Sequence, residues 1–362
     1  MNNLKAYGLT ERFMNEATMY EDMALARVIA QYKGLYKVVT EDGEHIAEIS
    51  GKLRYDTEEL AKFPAVGDFV MITGESGDDT TIIHQTLSRR SVFLRTAVGL
   101  SDQAQVIAAN IDYVFICMSL NRNFNLNRLE RYLSIAWDSG AVPVIVLTKA
   151  DLSEDLDEIL PEVERVAGFS DVLTTSVYED NRHKFEPYLK EGSTAAFIGS
   201  SGVGKSTLIN QLLGGGMLET KEIGKGDKGR HATTGREMFP SSLGGVLIDT
   251  PGMRELGVQN ADLSKSFADI EAYEKRCKFN DCTHIHEPGC AVRQAVSEGL
   301  IEERRLNSYF KLKNEASYEG LSSKQIEQQK MERMFKDVGG MKNARNVAKE
   351  KRSTASREGD FS

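Results

Sequence analysis

Gly199-Ser200-Ser201-Gly202-Val203-Gly204-Lys205-Ser206 stands directly after the apolar run AAFI (195–198) and directly before Thr207 and the helical stretch LINQLL. The spacing is that of the phosphate-binding loop G-x-x-x-x-G-K-[ST], and a strand before it with a helix after it is the setting that loop requires. Glycines here let successive backbone N–H groups turn toward a β-phosphate, while the N-terminus of the next helix adds the positive end of its dipole. Lys205 is placed to reach the β and γ oxygens. Ser206 is placed to offer its hydroxyl to Mg²⁺. A glycine-rich turn that contained GKS by accident would lack both flanking elements, so Gly199 to Thr207 are the candidate phosphate contacts.

Working outward, Asp249-Thr250-Pro251-Gly252 follows the apolar strand GGVLI. A carboxylate ending a buried strand beside the loop can hold Mg²⁺ through water, and the Gly252 N–H can face a γ-phosphate. Loop and D-x-x-G together point to GTPases but do not choose guanine over adenine. Thr148-Lys149-Ala150-Asp151, which ends the strand VPVIVL, makes that choice. It resembles the N-K-x-D guanine motif: Asp151 can accept from N1–H and the 2-amino group, and the stem of Lys149 can lie over the base. Thr148 stands where Asn is usual, a departure expected to weaken loop tethering more than base choice. Thr175-Ser176-Val177 after DVLT is the expected partner loop, with backbone near Val177 facing guanine O6. Asp151 and Ser176 precede Gly199, Lys205 and Asp249, the reverse of the ordinary order. The domain is circularly permuted.

On the N-terminal side, RVIAQY, LYKVVT, EHIAEIS, DFVMIT and TTIIHQT read as five short strands with turn residues between them, which suits a small barrel, either structural or of the oligonucleotide-binding type. From Asp112 the pattern becomes βαβ: YVFICMSL, then Leu126, Leu129, Leu133 and Ala136 at helical spacing, then VPVIVLT. Beyond Leu263 the chain reads as helical around Cys277, Cys282, His284 and Cys290, spaced C-x4-C-x-H-x5-C. Three thiolates and one imidazole make a closed tetrahedral site suited to structural Zn²⁺, and on spacing alone His286 can replace His284. With 362 residues the chain has room for about two to three domains. The net charge of −9 divides into −5 over residues 1–90, −7 over 91–262 and +3 over 263–362, so contact with a phosphate backbone should begin in the C-terminal third. No apolar run reaches membrane-spanning length and no signal peptide is evident, which gives the expectation of a cytoplasmic protein.

The motifs in this order make the chain resemble the ribosome small subunit-dependent GTPase A family, known also as RsgA or YjeQ. The resemblance covers residues 25 to about 315, in LSRRSVFLR, QVIAANIDYVF, LNRLERYL, LTKADL, GSSGVGKSTLIN, KGRHATTGREM, DTPGMREL and CKFNDCTHIHEPGCAV. It implies a multidomain α/β protein: an N-terminal extension and barrel of the oligonucleotide-binding kind (1–93), a circularly permuted GTPase domain (94–260), a helical zinc-binding domain (261–320) and a basic helical or disordered tail (321–362). It further implies hydrolysis of GTP to GDP with Mg²⁺, one structural Zn²⁺ on His284 rather than His286, and action with rRNA on the small ribosomal subunit late in its maturation. A monomer without membrane contact is expected. Met253, after Gly252, cannot orient water, and the family places its substitute in Gly229-Arg230-His231-Ala232-Thr233-Thr234. His231 is thus the candidate water-positioning residue, with Lys205 the other catalytic group. Ala232 departs from the family's usual Thr and leaves both threonines open as Mg²⁺ ligands, with Thr233 favoured. The rival function is a nucleic-acid-binding zinc and barrel protein in which guanine nucleotide is structural; it predicts RNA affinity indifferent to GTP or GDP. An ATP-using enzyme is opposed by Asp151.

Overall fold

The computed structural model describes residues 3–32, 34–56, 62–74, 81–96, 104–121, 124–215, 236–249 and 263–317, with Gln325 and Gln328. The chain divides into two units, Met1–Thr96 with Gln103–Ala316, and Ala97–Asp102 with Ser317–Ser362. Two short helices, α1 (Asn3–Ala6) and α2 (Glu11–Ala17), bury Leu4 and Phe13. The five expected strands follow as β1 (Ala24–Gln31), β2 (Tyr36–Val39), β3 (Glu44–Ile49), β4 (Phe69–Thr73) and β5 (Thr81–Thr86), with α3 (Gly51–Asp56) after β3. They pair in the order β1-β2-β3-β5-β4, and β4 returns to β1, closing the barrel. Only β3–β5 is parallel. Register shifts at Val28/Ala30 and Met71/Ile72 supply the bends closure needs, because an extra residue on one strand increases the local twist. Ala26, Val28, Val38, Val70 and Ile83 fill the interior.

A hairpin the sequence pattern had not revealed, β6 (Val92–Thr96) with β7 (Ala104–Ala109), forms a separate two-stranded sheet. Next come β8 (Tyr113–Ser119), α4 (Leu126–Asp138), β9 (Val142–Thr148), α5 (Leu156–Ala167), β10 (Asp171–Thr174), α6 (Arg182–Phe185), β11 (Thr194–Ile198), α7 (Lys205–Leu213), β12 (Arg236–Pro240) and β13 (Val246–Asp249). The sheet runs β10-β9-β8-β11-β13-β12, parallel except for β12. Alternation along β8 shows how it is held: Val114, Ile116 and Met118 join one core while Phe115 and Cys117 join the core on the opposite face. α4 ends at Asp138 and Gly140 follows at φ +86°, as the spacing of Leu126 to Ala136 requires. β12 also pairs with β1, Ala30 opposite Glu237, so barrel and nucleotide domain share one continuous sheet of eleven strands.

Arg27 marks that junction. Its guanidinium is buried on β1, lies 4.7 Å from the Phe69 ring centroid, and donates to the carbonyls of Tyr7 and Gly67 and to Thr194 Oγ1 (2.9 Å). One side chain thus ties the N-terminal helices, the barrel and the start of β11. Burial pulls its pKa down to about 9, which leaves it charged at neutral pH. Three helices complete the unit: α8 (Ala268–Glu274), α9 (Ala291–Ser297) and α10 (Glu303–Ala316). Their Ile270, Val292, Leu306 and Leu312 extend the core that also takes Leu129 and Leu133 of α4. No helix among the described residues is long and apolar enough to cross a membrane.

Candidate functional site

β11 leads straight into the loop Gly199–Gly204, and α7 begins at Lys205. Gly199 sits at φ +145° so close to β8 that a Cβ there would lie 2.4 Å from the Cys117 carbonyl oxygen; no other residue fits. Gly202 (φ +75°) and Gly204 (φ +98°) are left-handed, the turns that bring backbone N–H groups to one side. Lys205 Nζ donates to the carbonyls of Gly199 (2.8 Å) and Ser200 (2.9 Å), bridging the loop's opening residues. Ser206 and Thr207 occupy the next two positions of α7. Asp249 ends β13, the strand hydrogen-bonded beside β11. Gly252, His231 and Thr233 lie outside the described residues.

The guanine motif comes to the same loop. Thr148 Oγ1 donates to the Val203 carbonyl at 2.5 Å, and Lys149, left-handed at φ +58°, donates through Nζ to the Gly202 carbonyl at 2.8 Å. Thr148, the departure from Asn, thus still reaches the loop, through a buried hydroxyl. Ser176 Oγ donates to Asp151 Oδ1 at 2.7 Å and in turn accepts from the Tyr178 N–H. Ala150 N–H donates to the Thr175 carbonyl, so the two loops are joined through backbone as well. Val177 is exposed at the end of this arrangement, with Asp151 also facing solvent. Thr148, Lys149, Asp151, Ser176 and Val177 thus stand on two touching loops, one of them bonded to the phosphate loop.

In the helical layer, the sulfur atoms of Cys277, Cys282 and Cys290 and a ring nitrogen of His284 all lie within 4.8 Å of one another. His284 Nδ1 is 3.6 Å from Cys277 Sγ and 3.4 Å from Cys290 Sγ, and the two sulfurs are 4.0 Å apart. A tetrahedron with zinc's bond lengths to sulfur and nitrogen has edges of about 3.4–3.8 Å; the cluster is somewhat wider than that and could close on one such ion. The other ring nitrogen, Nε2, meets Glu274 Oε1 at 2.9 Å, which fixes the tautomer and turns Nδ1 inward. Burial pushes the Glu274 carboxyl up, but Lys313 and bonds from Tyr309 and His284 outweigh it and hold the group below its usual range. Cys290 caps α9, its sulfur accepting from the Arg293 N–H. His286 is exposed and outside the cluster, which resolves the choice left by spacing.

The profile of the RsgA GTPase family matches residues 86–259. Small ribosomal subunit biogenesis GTPase RsgA 2 of Lactiplantibacillus plantarum is 51% identical over 342 residues, covering 94% of this chain and 97% of that protein. The chain belongs to the RsgA GTPase family. RsgA 1 of Listeria innocua is 42% identical over 319 residues, 87% of this chain and 90% of its own. Among solved structures, YjeQ from Thermotoga maritima matches with a TM-score of 0.62 at 26% identity, over 81% of this chain and 98% of that one. YloQ, described as a circularly permuted GTPase, matches at 0.57 and 26%, over 82% and 96%. As an RsgA family member the chain is a GTPase, and the inverted motif order is the permutation of that fold. What the motifs do not reveal is the polar contact between α4 and its surroundings. Arg128 reaches Ser200, and Glu130 is buried against Arg304 and Arg305. LNRLERYL displays these charges, but an amphipathic helix gives no sign of which will be covered.

Proposed function

We propose that the chain hydrolyses GTP to GDP and phosphate on the small ribosomal subunit during its late maturation, that the subunit stimulates turnover, and that the nucleotide state governs docking and release. The observation that carries the reading is the Thr148–Val203 bond, which draws a guanine motif onto a phosphate loop 50-odd residues later in a body that also holds a metal-binding layer. The relatives' names supply the subunit. On this reading the barrel and N-terminal extension take residues 1–93, the GTPase domain 94–260, the zinc domain 261–320 and the tail 321–362. Gly199 to Thr207 receive the phosphates, Asp151 and the backbone at Val177 the base, and Lys149 covers its face. Lys205 neutralises charge that develops on the β and γ oxygens. Ser206 and Thr233 would hold Mg²⁺, with Asp249 behind them and the Gly252 N–H facing the γ-phosphate; the ion supplies further charge stabilisation there. Cys277, Cys282, His284 and Cys290 would hold Zn²⁺ as a closed structural site. A neutral imidazole at His231 orients the attacking water, the part Met253 cannot play. A monomer in the cytoplasm, meeting rRNA, fits the whole.

The deciding experiment measures GTPase rate alone, with small subunits and with large subunits. Stimulation by small subunits only is expected; equal rates in all three, with RNA affinity indifferent to GTP or GDP, would instead support the nucleic-acid-binding rival. His231→Ala should still bind a non-hydrolysable GTP analogue and still dock, while stimulated turnover falls about 10²-fold or more. A rate near that of the unaltered protein would remove His231 from the chemistry.

A further inference from the structure

α4 lies between the phosphate loop and α10, and both neighbours hold it by polar side chains. Residues 128 and 130 are two apart, so at about 100° per residue they leave the helix on opposite sides. On one side Arg128, whose N–H is capped by Asn125 Oδ1, sends Nη1 to Ser200 Oγ of the phosphate loop at 3.4 Å. On the other, Glu130 is 1% exposed and accepts from Arg305 Nη1 (3.0 Å) and from Arg304 Nη1 and Nη2 (3.2 and 3.3 Å). Arg305 in turn grips Asp269 of α8 with two bonds of 2.6 and 2.7 Å and stacks 4.8 Å from the Phe267 ring. Arg304 also bonds Asn127, and Arg131 pairs with Glu315 near the far end of α10. One turn on from Arg305, Tyr309 donates to Glu274, the residue that holds His284.

Burying this many charges is a poor way to gain stability, because apolar packing of like volume holds two helices as well or better. What ionic contacts add is a single register. We propose that Arg128 and Glu130 are positioning residues for GTP hydrolysis, the two ends of a link through which α10 and the metal-bearing layer set the phosphate loop. The layer acts on Glu130, α4 carries the displacement as a rigid rod, and Arg128 delivers it to Ser200. The inference rests on the assignment of Gly199–Ser206 as the phosphate loop.

The test is a double-mutant cycle on the full chain, read as affinity for a fluorescent N-methylanthraniloyl-GDP and as kcat and KM for GTP, with thermal melting of each variant alongside. Glu130→Gln and Arg128→Ala should each weaken nucleotide binding about 3- to 10-fold, within the range of such couplings. The double variant should be no weaker than the weaker single, since the two residues are links in series. Arg128→Lys, which keeps a cationic donor, should recover most of the loss. Single effects that multiply in the double variant overturn the proposal, as does wild-type affinity in Glu130→Gln whatever its melting temperature. If Glu130→Gln does not fold, Arg304→Gln takes its place in the same cycle, because that side chain is a third exposed and its loss leaves Arg305 on Glu130. Lys205→Ala reports on the loop assignment by itself: undiminished binding and turnover there would remove the loop from the site, a failure separate from that of the link.

Discussion

On the proposed function Asp151 carries base choice on one carboxylate, and Ser176 donates to one of its oxygens at 2.7 Å. Replacing it with Asn puts a donor where guanine N1–H needs an acceptor. Asp151→Asn should therefore lose GTP affinity and gain affinity for xanthosine triphosphate, measured by competition against a labelled nucleotide; unchanged preference for GTP would mean the base sits elsewhere. The position of Asp151 at the end of a buried strand, beside the Ser176 loop, was legible in the sequence. The role of Thr148 was not. Its acceptor is a backbone carbonyl on a distant loop, and sequence comparison with Asn suggests only that something smaller has arrived. In the fold the strand end lies close enough for the Thr148 hydroxyl to reach that carbonyl. Arg128 and Glu130 were unreadable for a related reason, since burial of a charge depends on which helix packs against it.

Among the elements, the strands of the barrel were visible by alternation and turn residues, and α4 by its apolar spacing. α1 and α2, of four and seven residues, are too short to show a period. The β6–β7 hairpin was missed because only Asn110 to Asp112 separate AQVIAA from YVFICMS, too short a break to mark two strands by pattern. Gly67 shows what joins that hairpin to the barrel. It has φ +97°, and a Cβ would fall 2.1 Å from the Ala109 carbonyl oxygen at the end of β7. The contact is backbone on backbone, so no rotamer can relieve it. Gly67→Ala should cost about 1–3 kcal/mol, a fall in melting temperature of roughly 1–4 °C by calorimetry. Gly51→Ala, at a site with no atom within 4 Å and no positive φ, is the matched control and should leave the transition in place. Equal shifts in both would show that the close approach at Gly67 is not what the protein depends on.

At the scale of the whole molecule, motif order revealed the permutation, but nothing local announces that β1 will pair with β12, a contact between residues 30 and 237. The Cys277–Cys282–His284–Cys290 cluster offers the molecular test. Burial pushes the Cys117 thiol up to about 12, so at pH 8 its thiolate fraction is on the order of 10⁻⁴ and it should be silent to a disulfide reagent while the protein is folded. With metal bound the other three thiols should also be silent. A chelator should release exchangeable zinc, expose three thiols to the reagent, and loosen α8–α10, since binding at such sites is coupled to folding. Three reactive thiols before any chelator is added would mean that the purified protein carries no metal in the cluster. The permuted strand order has one more outcome, and it concerns the chain as it is made. β11, the strand between β8 and β13, is synthesised after β8, β9 and β10. At about 5–20 residues per second, roughly 4–16 s separate the completion of β8 from that of β11. Until β11 follows, β8 (Val114 to Met118) can pair with β9 on one side only, and its backbone donors and acceptors on the other side have no strand partner. Such an edge pairs readily with any extended segment it meets. Biosynthesis thus leaves β8, the strand against which Gly199 packs, half-paired until β11 is made.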